Sequence, residues 1–267
     1  MNVFDVDEYL RRIGHEGEEV KPDIETLRAL HKKHLMAIPY NSVSSLTLPP
    51  SPRTSGVVLV DIDEDATFDV VVAEGRGGGC IQLSRLFFRL LHELGFDAAL
   101  LGGSTVEGAQ LFGTDVEHML VLVTLHDEKW LVDVGYAGPS FLEPLLVGDE
   151  VQVQYGVRYR LVEDGHTLVL QRCAQGGRWH VVYRFTLTAR EPAAWSEFES
   201  KVNEKLAGAE PGEGGPMLCS RASDDGQSIL KGRRHLTVRD GVEQVRTLVD
   251  NDEYHDVAAG ITSRPVG

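Results

Sequence analysis

The sequence predicts an α+β chain with helices first, an antiparallel β unit in the middle and a small mixed α/β unit at the end. Three observations carry that prediction. Leu83, Leu86, Phe87, Leu90, Leu91 and Leu94 recur at helical spacing, with Gly95 as a natural stop. From residue 97 the pattern changes to short Val-rich and aromatic-rich runs separated by turn clusters, which is the spacing of an antiparallel sheet or barrel. Beyond Glu191-Pro192, Trp195, Phe198, Val202 and Leu206 step at helical spacing again, before strand-like runs near 228–238 and a polar end.

Taken in order, Val6, Tyr9, Leu10 and Ile13 form one helical stripe, and Leu27, Leu30, His31, His34, Leu35 and Ile38 form a second after Asp23 as a cap. The stretch from Ser44 to Gly56 holds three prolines and reads as an exposed loop. Helix is predicted over 80–94 and strands over 97–101, 118–125, 129–136, 151–161, 167–173 and 179–187, with turns at His126-Asp127-Glu128 and Gly176-Gly177. Gly208 to Pro216 is a second loop. The predicted division is 1–96 helical, 97–190 β and 191–267 mixed.

Composition narrows the function classes. With 26 basic against 41 acidic residues the net charge is −15, which argues against a nucleic-acid partner, since a phosphate backbone needs a basic face. No apolar run approaches the roughly 20 residues that span a bilayer, and the acidic start is unlike a secretory signal, so the expectation is a cytoplasmic protein without a membrane partner. Cys80, Cys173 and Cys219 are odd in number, far apart and outside any CxxC spacing, which argues against a disulfide framework and against a zinc site.

Cys80 opens its helix directly after Arg76-Gly77-Gly78-Gly79. Unsatisfied amides and the positive end of the helix dipole favour a thiolate there, and the glycines let a substrate come close. The bland alternative is a small buried hydrophobe beside a tight turn. Cys173 and Cys219 lack such a setting and read as structural. A cysteine nucleophile needs a base and an orienting acceptor. His118 is distinct because it starts the apolar run Met119 to Val123 at a strand end, whereas His15, His31, His34, His92, His126, His166, His180, His235 and His255 read as surface histidines. Asp133 interrupts an apolar strand, where an unpartnered carboxylate would cost several kcal/mol, so a donor must face it. A plain hairpin turning at Asp127-Glu128 pairs His118 with Ala137, however, and leaves Asp133 four residues along, about 13 Å away. Spacing alone does not bring them together.

The element Arg76-Gly77-Gly78-Gly79-Cys80, with His118 following 38 residues on and Asp133 in Val132-Asp133-Val134-Gly135-Tyr136 a further 15 on, resembles the arylamine N-acetyltransferase family. The likeness extends to Ala37-Ile38-Pro39-Tyr40, Leu94-Gly95-Phe96, the Trp130 strand, and Trp179 with Tyr183-Arg184-Phe185. It implies a helical bundle, a central antiparallel β-barrel and an α/β lid around a cysteine-protease-like triad of Cys80, His118 and Asp133. It further implies ping-pong acyl transfer from a thioester, either acetyl-CoA or a carrier-protein thioester, to a small-molecule amine, with no metal. By the same resemblance Tyr40, Arg76, Val116, Glu117, Gly135 and Tyr136 become candidate substrate-binding residues.

Departures from the family pattern bear on the substrate. Pro39-Tyr40-Asn41-Ser42 stands for the usual Pro-Phe-Glu-Asn, and Cys80-Ile81-Gln82-Leu83-Ser84 for the usual Cys-x-Glu-x-Asn. Two expected carboxylates are thus neutral, and Arg76 either has another partner or offers its fork to a substrate anion. A Thr-x-Pro-x-Ser type segment is also replaced, by Gly214-Gly215-Pro216-Met217-Leu218-Cys219-Ser220. Specialised amide formation from a carrier-protein thioester therefore stands beside arylamine acetylation. The competing readings are a transglutaminase-like or papain-like cysteine hydrolase, and a catalytically silent acyl-binding protein on the same fold.

Overall fold

The computed structural model describes residues 4–42, 64–107, 111–198, 200–201 and 217–263. The expected loops at 44–56 and 208–216, and the end of the helical step at 202–206, lie outside those residues. The N-terminal part holds α1 (Val6–Arg12), α2 (Ile24–Ala37), α3 (Glu64–Phe68) running into a π-helical turn over Asp69–Ala73, and α4 (Cys80–Glu93). Asp5 and Asp23 cap α1 and α2 by accepting the amides of Glu8 and Thr26. The Leu-rich stripe of α4 packs with Tyr9, Leu27, Leu30 and Phe68 into one core that continues onto Met119, Val121 and Val123 of the β unit. That shared core fixes the start of α4 against the strand that begins at His118.

The β unit contains β2 (Asp97–Glu107), β3 (Leu111–Phe112), β4 (His118–Leu125), β5 (Glu128–Val132), β6 (Leu145–Leu146), β7 (Gln152–Gln154), β8 (Val157–Asp164), β9 (Thr167–Cys173) and β10 (His180–Arg190). The strands pair antiparallel in the order β6-β5-β4-β2-β10-β9-β8-β7, and β3 folds back on β2. The Gln152 side chain accepts from the Leu146 amide at 2.9 Å and donates to its carbonyl at 2.8 Å, so the two end strands nearly close a barrel. Leu101, Leu120, Leu131, Phe141, Leu170 and Phe185 fill its inside. Two expected strands are cut short. The run at 129–136 ends at Val132, and the run at 151–161 breaks at Tyr155-Gly156, both with positive φ, into the β7–β8 hairpin.

A second antiparallel sheet runs β1-β11-β12-β13-β14, from β11 (Leu218–Ala222), β12 (Gly226–Lys231), β13 (Arg234–Arg239) and β14 (Val242–Thr247). Its first strand, β1 (Tyr40–Asn41), comes from the N-terminal part. The expected polar end is instead a helix, α5 (Asn251–Thr262), capped by Asp250 and packed through Ala258 and Ile261 on Cys219 and Leu230. Its spacing of Tyr254, Val257, Ala258 and Ile261 behind an Asp250-x-x-Glu253 start is a readable helix signal. Among the described residues no helix is long and apolar enough to cross a membrane.

Candidate active site

Three side chains from three elements meet where the helices, the barrel and the second sheet converge. Cys80 is the first residue of α4, and Gly79 before it is extended. The Gly79 amide donates to Gln82 Oε1 at 3.0 Å, so the neutral Gln82 ties down the helix start. His118, at the first residue of β4, and Asp133, just past the end of β5, are each 2% exposed, and His118 Nε2 stands 3.0 Å from Asp133 Oδ2. The Cys80 side chain lies close enough to the His118 ring to influence its charge. Cys80 is half-buried, with Sγ 3.6 Å from the main-chain oxygen of Glu117. Burial opposes charge on the His118 ring, but the adjacent Asp133 carboxylate and Cys80 outweigh it and push its pKa up to about 10.

The register explains how the pair forms where the expected hairpin failed to form it. Leu125 pairs with Glu128, so the turn is His126-Asp127, with His126 at φ 55, and every cross-strand pair slides by two residues from the expected one. Asp133 then lies diagonal to His118 on one face, within side-chain reach. The Gly135 amide donates to Asp133 Oδ1 at 2.9 Å and fixes the carboxylate's second oxygen. A side chain at Gly135 would strike the Cys80 carbonyl and Ser84 Oγ, so only glycine lets this loop close on the start of α4.

His31 was expected on a solvated face, and it is fully buried beneath Asp133. Its Nδ1 donates to the Leu142 carbonyl at 2.8 Å, which leaves Nε2 to accept the Asp133 amide at 3.2 Å. Burial lowers its pKa, in keeping with this neutral role. His34, bonded through Nδ1 to the Tyr9 hydroxyl at 2.8 Å, His15 and His235 are buried as well, contrary to expectation. The positions of His31 and His34 on the apolar stripe of α2 were the signal that their polar neighbours masked.

A cavity of about 600 Å³ opens over Cys80 and His118. Tyr40, Glu117, Gly135 and Tyr136 line it, whereas Arg76 and Val116 are not among its lining residues. Arg76 Nε pairs with Glu74 at 2.8 Å, and the Arg76 carbonyl accepts from Asn41 Nδ2 at 3.2 Å. The arginine thus has a local acidic partner in place of the two carboxylates that Asn41 and Gln82 replace. The rings of Tyr136 and Tyr183 pack against His118 at 5.8 and 5.3 Å. Cys173 and Cys219 are buried away from this cavity, and burial pushes the Cys219 thiol up to about 12.

A family model described as N-acetyltransferase matches residues 23–260, most of the chain. The chain belongs to the arylamine N-acetyltransferase family. It is 48% identical to Proansamycin X synthase of Amycolatopsis mediterranei (strain S699) over 98% of both chains. It is 35% identical to arylamine N-acetyltransferase of Escherichia coli (strain K12) over 68% of this chain and 62% of that one. The fold matches that of the Mycobacterium marinum arylamine N-acetyltransferase solved in complex with CoA, with a TM-score of 0.78 and 26% identity over 97% of this chain and 93% of that one. The protein is therefore an acyltransferase enzyme, of a family whose general reaction is acyl transfer from acetyl-CoA to amines.

Proposed function

We propose that the chain is an amide-forming N-acyltransferase working by ping-pong through a Cys80 acyl-enzyme, with His118 and Asp133 completing the triad. The observation that carries this reading is the Cys80–His118–Asp133 contact chain at the floor of the cavity. The thiol proton resides on His118, whose raised pKa favours the imidazolium, and the thiolate so formed attacks the thioester carbonyl. The donor thiol leaves, taking that proton back. The amine nitrogen then attacks the acyl carbonyl, one N–H proton passes to His118, and the C–S bond breaks to return the thiol of Cys80. Asp133 stays ionised throughout, orienting the ring and balancing its charge.

Full-length likeness to a protein named as a synthase, at higher identity than to the arylamine acetyltransferases, favours a biosynthetic acyl group over routine acetylation. A cavity of this size holds a drug-sized acceptor. Lys231 and Arg234 stand directly opposite each other on β12 and β13 and also line the cavity. Like charges so placed repel unless an anion joins them, and both CoA and the pantetheine arm of an acyl carrier protein bring phosphate. We assign the thioester donor to that side, with the carrier protein as its natural source. In the same reading residues 1–96 supply the nucleophile, 97–190 the base and acid, and 191–267 the lid.

Intact-mass measurement of the protein with a panel of acyl-CoA and acyl-carrier thioesters tests the proposal. The expected result is one acyl adduct on Cys80, released only when an amine is added. Cys80→Ala should abolish adduct and turnover, and Cys173→Ala and Cys219→Ala should leave turnover within a few-fold. An adduct on another cysteine, or fast release to free acid without amine, overturns it.

A further inference from the structure

We infer that the Tyr40 hydroxyl is a catalytic hydrogen-bond donor to the acyl oxygen, completing the oxyanion site over Cys80. This rests on the reading of Cys80 as the acylated nucleophile. When the thiolate adds to a thioester carbonyl, a C–S bond forms and the C=O π pair moves onto oxygen, where the new charge needs donors already in place. The main chain beside Cys80 supplies few. The Gly78 amide donates to the Pro39 carbonyl at 3.4 Å, the Gly79 amide to Gln82 Oε1 at 3.0 Å and the Gly135 amide to Asp133 Oδ1 at 2.9 Å. The Cys80 amide, at the first position of α4, remains available to a ligand. A second donor has to come from elsewhere in the cavity wall.

Tyr40 meets that need. It lines the same cavity as Cys80, is half-buried, and its hydroxyl has no hydrogen-bond partner among the described residues. Its backbone bridges Gly78, the Asn41 amide next to it donates to the Gly78 carbonyl at 3.0 Å, and Ser220 of β11 pairs with it. The ring is thus carried on the same glycine segment that delivers Cys80. Burial raises the phenol's pKa, and the Cys80 sulfur, near enough to act on it, raises it further, so the group stays a neutral O–H. The other phenol of the wall, Tyr136, answers to Asp133 and Arg172 and not to Cys80, and the Thr105 hydroxyl is already spent on Glu117 Oε1 at 2.7 Å. Tyr40 stands where the family pattern reads phenylalanine, so the hydroxyl is a feature of this chain. It gives up no proton. The oxyanion collapses, the C=O bond re-forms and the donor thiol leaves with the proton held on His118; attack of the amine on the acyl-enzyme raises and discharges the same oxyanion.

The test is Tyr40→Phe, which removes one oxygen atom and keeps the ring. Acylation by S-acetyl-N-acetylcysteamine is compared with alkylation by iodoacetamide, which reacts at the same sulfur without forming an oxyanion. Acylation, and single-turnover release of the acyl group to aniline, should each fall about 100-fold to 1,000-fold, the cost of one oxyanion donor. The alkylation rate should stay within about 3-fold of wild type across its pH profile, since the thiolate itself is untouched. Fluorotyrosine in place of Tyr40, a stronger donor of nearly the same shape, should speed acylation; it decides the matter if the phenylalanine variant does not fold. Acylation within about 3-fold of wild type in Tyr40→Phe, equal slowing of acylation and alkylation, or no gain with fluorotyrosine overturns the role of Tyr40 while leaving the acyl-enzyme intact. Failure of the wild-type protein to form any acyl-enzyme on Cys80 overturns both proposals.

Discussion

His31 sits directly behind the candidate triad, bonded to the backbone of Asp133. It touches no substrate, yet its ring spans the Leu142 carbonyl and the Asp133 amide, and so sets where the Asp133 backbone lies beneath His118. His31→Phe keeps the ring stacked on Phe141 and orphans both backbone groups, each at about 1–3 kcal/mol. The expected outcome is a Tm lower by several degrees and kcat reduced at least 10-fold with a smaller change in the KM of the thioester. Circular dichroism melts and steady-state kinetics check it, and an unchanged kcat would leave His31 a packing residue only. Cys80, His118 and Asp133 were legible in the sequence, because a thiol after three glycines, an imidazole opening an apolar run and a carboxylate inside one each break their local pattern. His31 was not, because its bonds go to backbone atoms more than 100 residues away, which leave no trace in neighbouring residue types.

At the scale of elements, the existence of α4, β4, β8, β9 and β10 could be read from periodicity, whereas their pairing could not. The two-residue slide of the β4–β5 turn depends on His126 accepting a left-handed φ, and sequence patterns rank such turns poorly. That slide is what brings Asp133 to His118, so the site depends on a turn at least 6 residues from either group. The loop after β5 is equally exacting. Gly135→Ala puts a methyl group 2.7 Å from the Cys80 carbonyl oxygen and 2.7 Å from Ser84 Oγ, where backbone must shift. We expect a loss of about 1–3 kcal/mol in urea unfolding together with a fall in Cys80 acylation of at least 10-fold. Stability and acylation both within 2-fold of wild type would mean the loop has slack that the packing does not show.

For the whole molecule, buried imidazoles set a pH window. Burial, with a smaller contribution from neighbouring His31, lowers His34 to about 3, so its contribution to stability is present above the unfolded value near 6.5 and is lost as pH falls toward 3. His118 works in the opposite sense. Its raised pKa gives stability that is full below about 6.5 and fades as pH rises through about 10. Denaturant midpoints should therefore peak between about pH 6 and 7. His34→Gln should flatten the acid side and His118→Gln the alkaline side. A midpoint constant from pH 5 to 9 would contradict both assignments. The second sheet carries a different consequence. Its edge strand β1 pairs Tyr40 with Ser220, about 180 residues later in the chain, and closing a loop of that length costs about 4–5 kcal/mol of chain entropy beyond a constant. Leu218, Ile229, Lys231 and Leu236 on that sheet form one wall of the cavity. During synthesis from the N-terminus, a chain halted before residue 218 already holds the thiol, the imidazole and the carboxylate, but has only part of the chamber that would receive an acyl group.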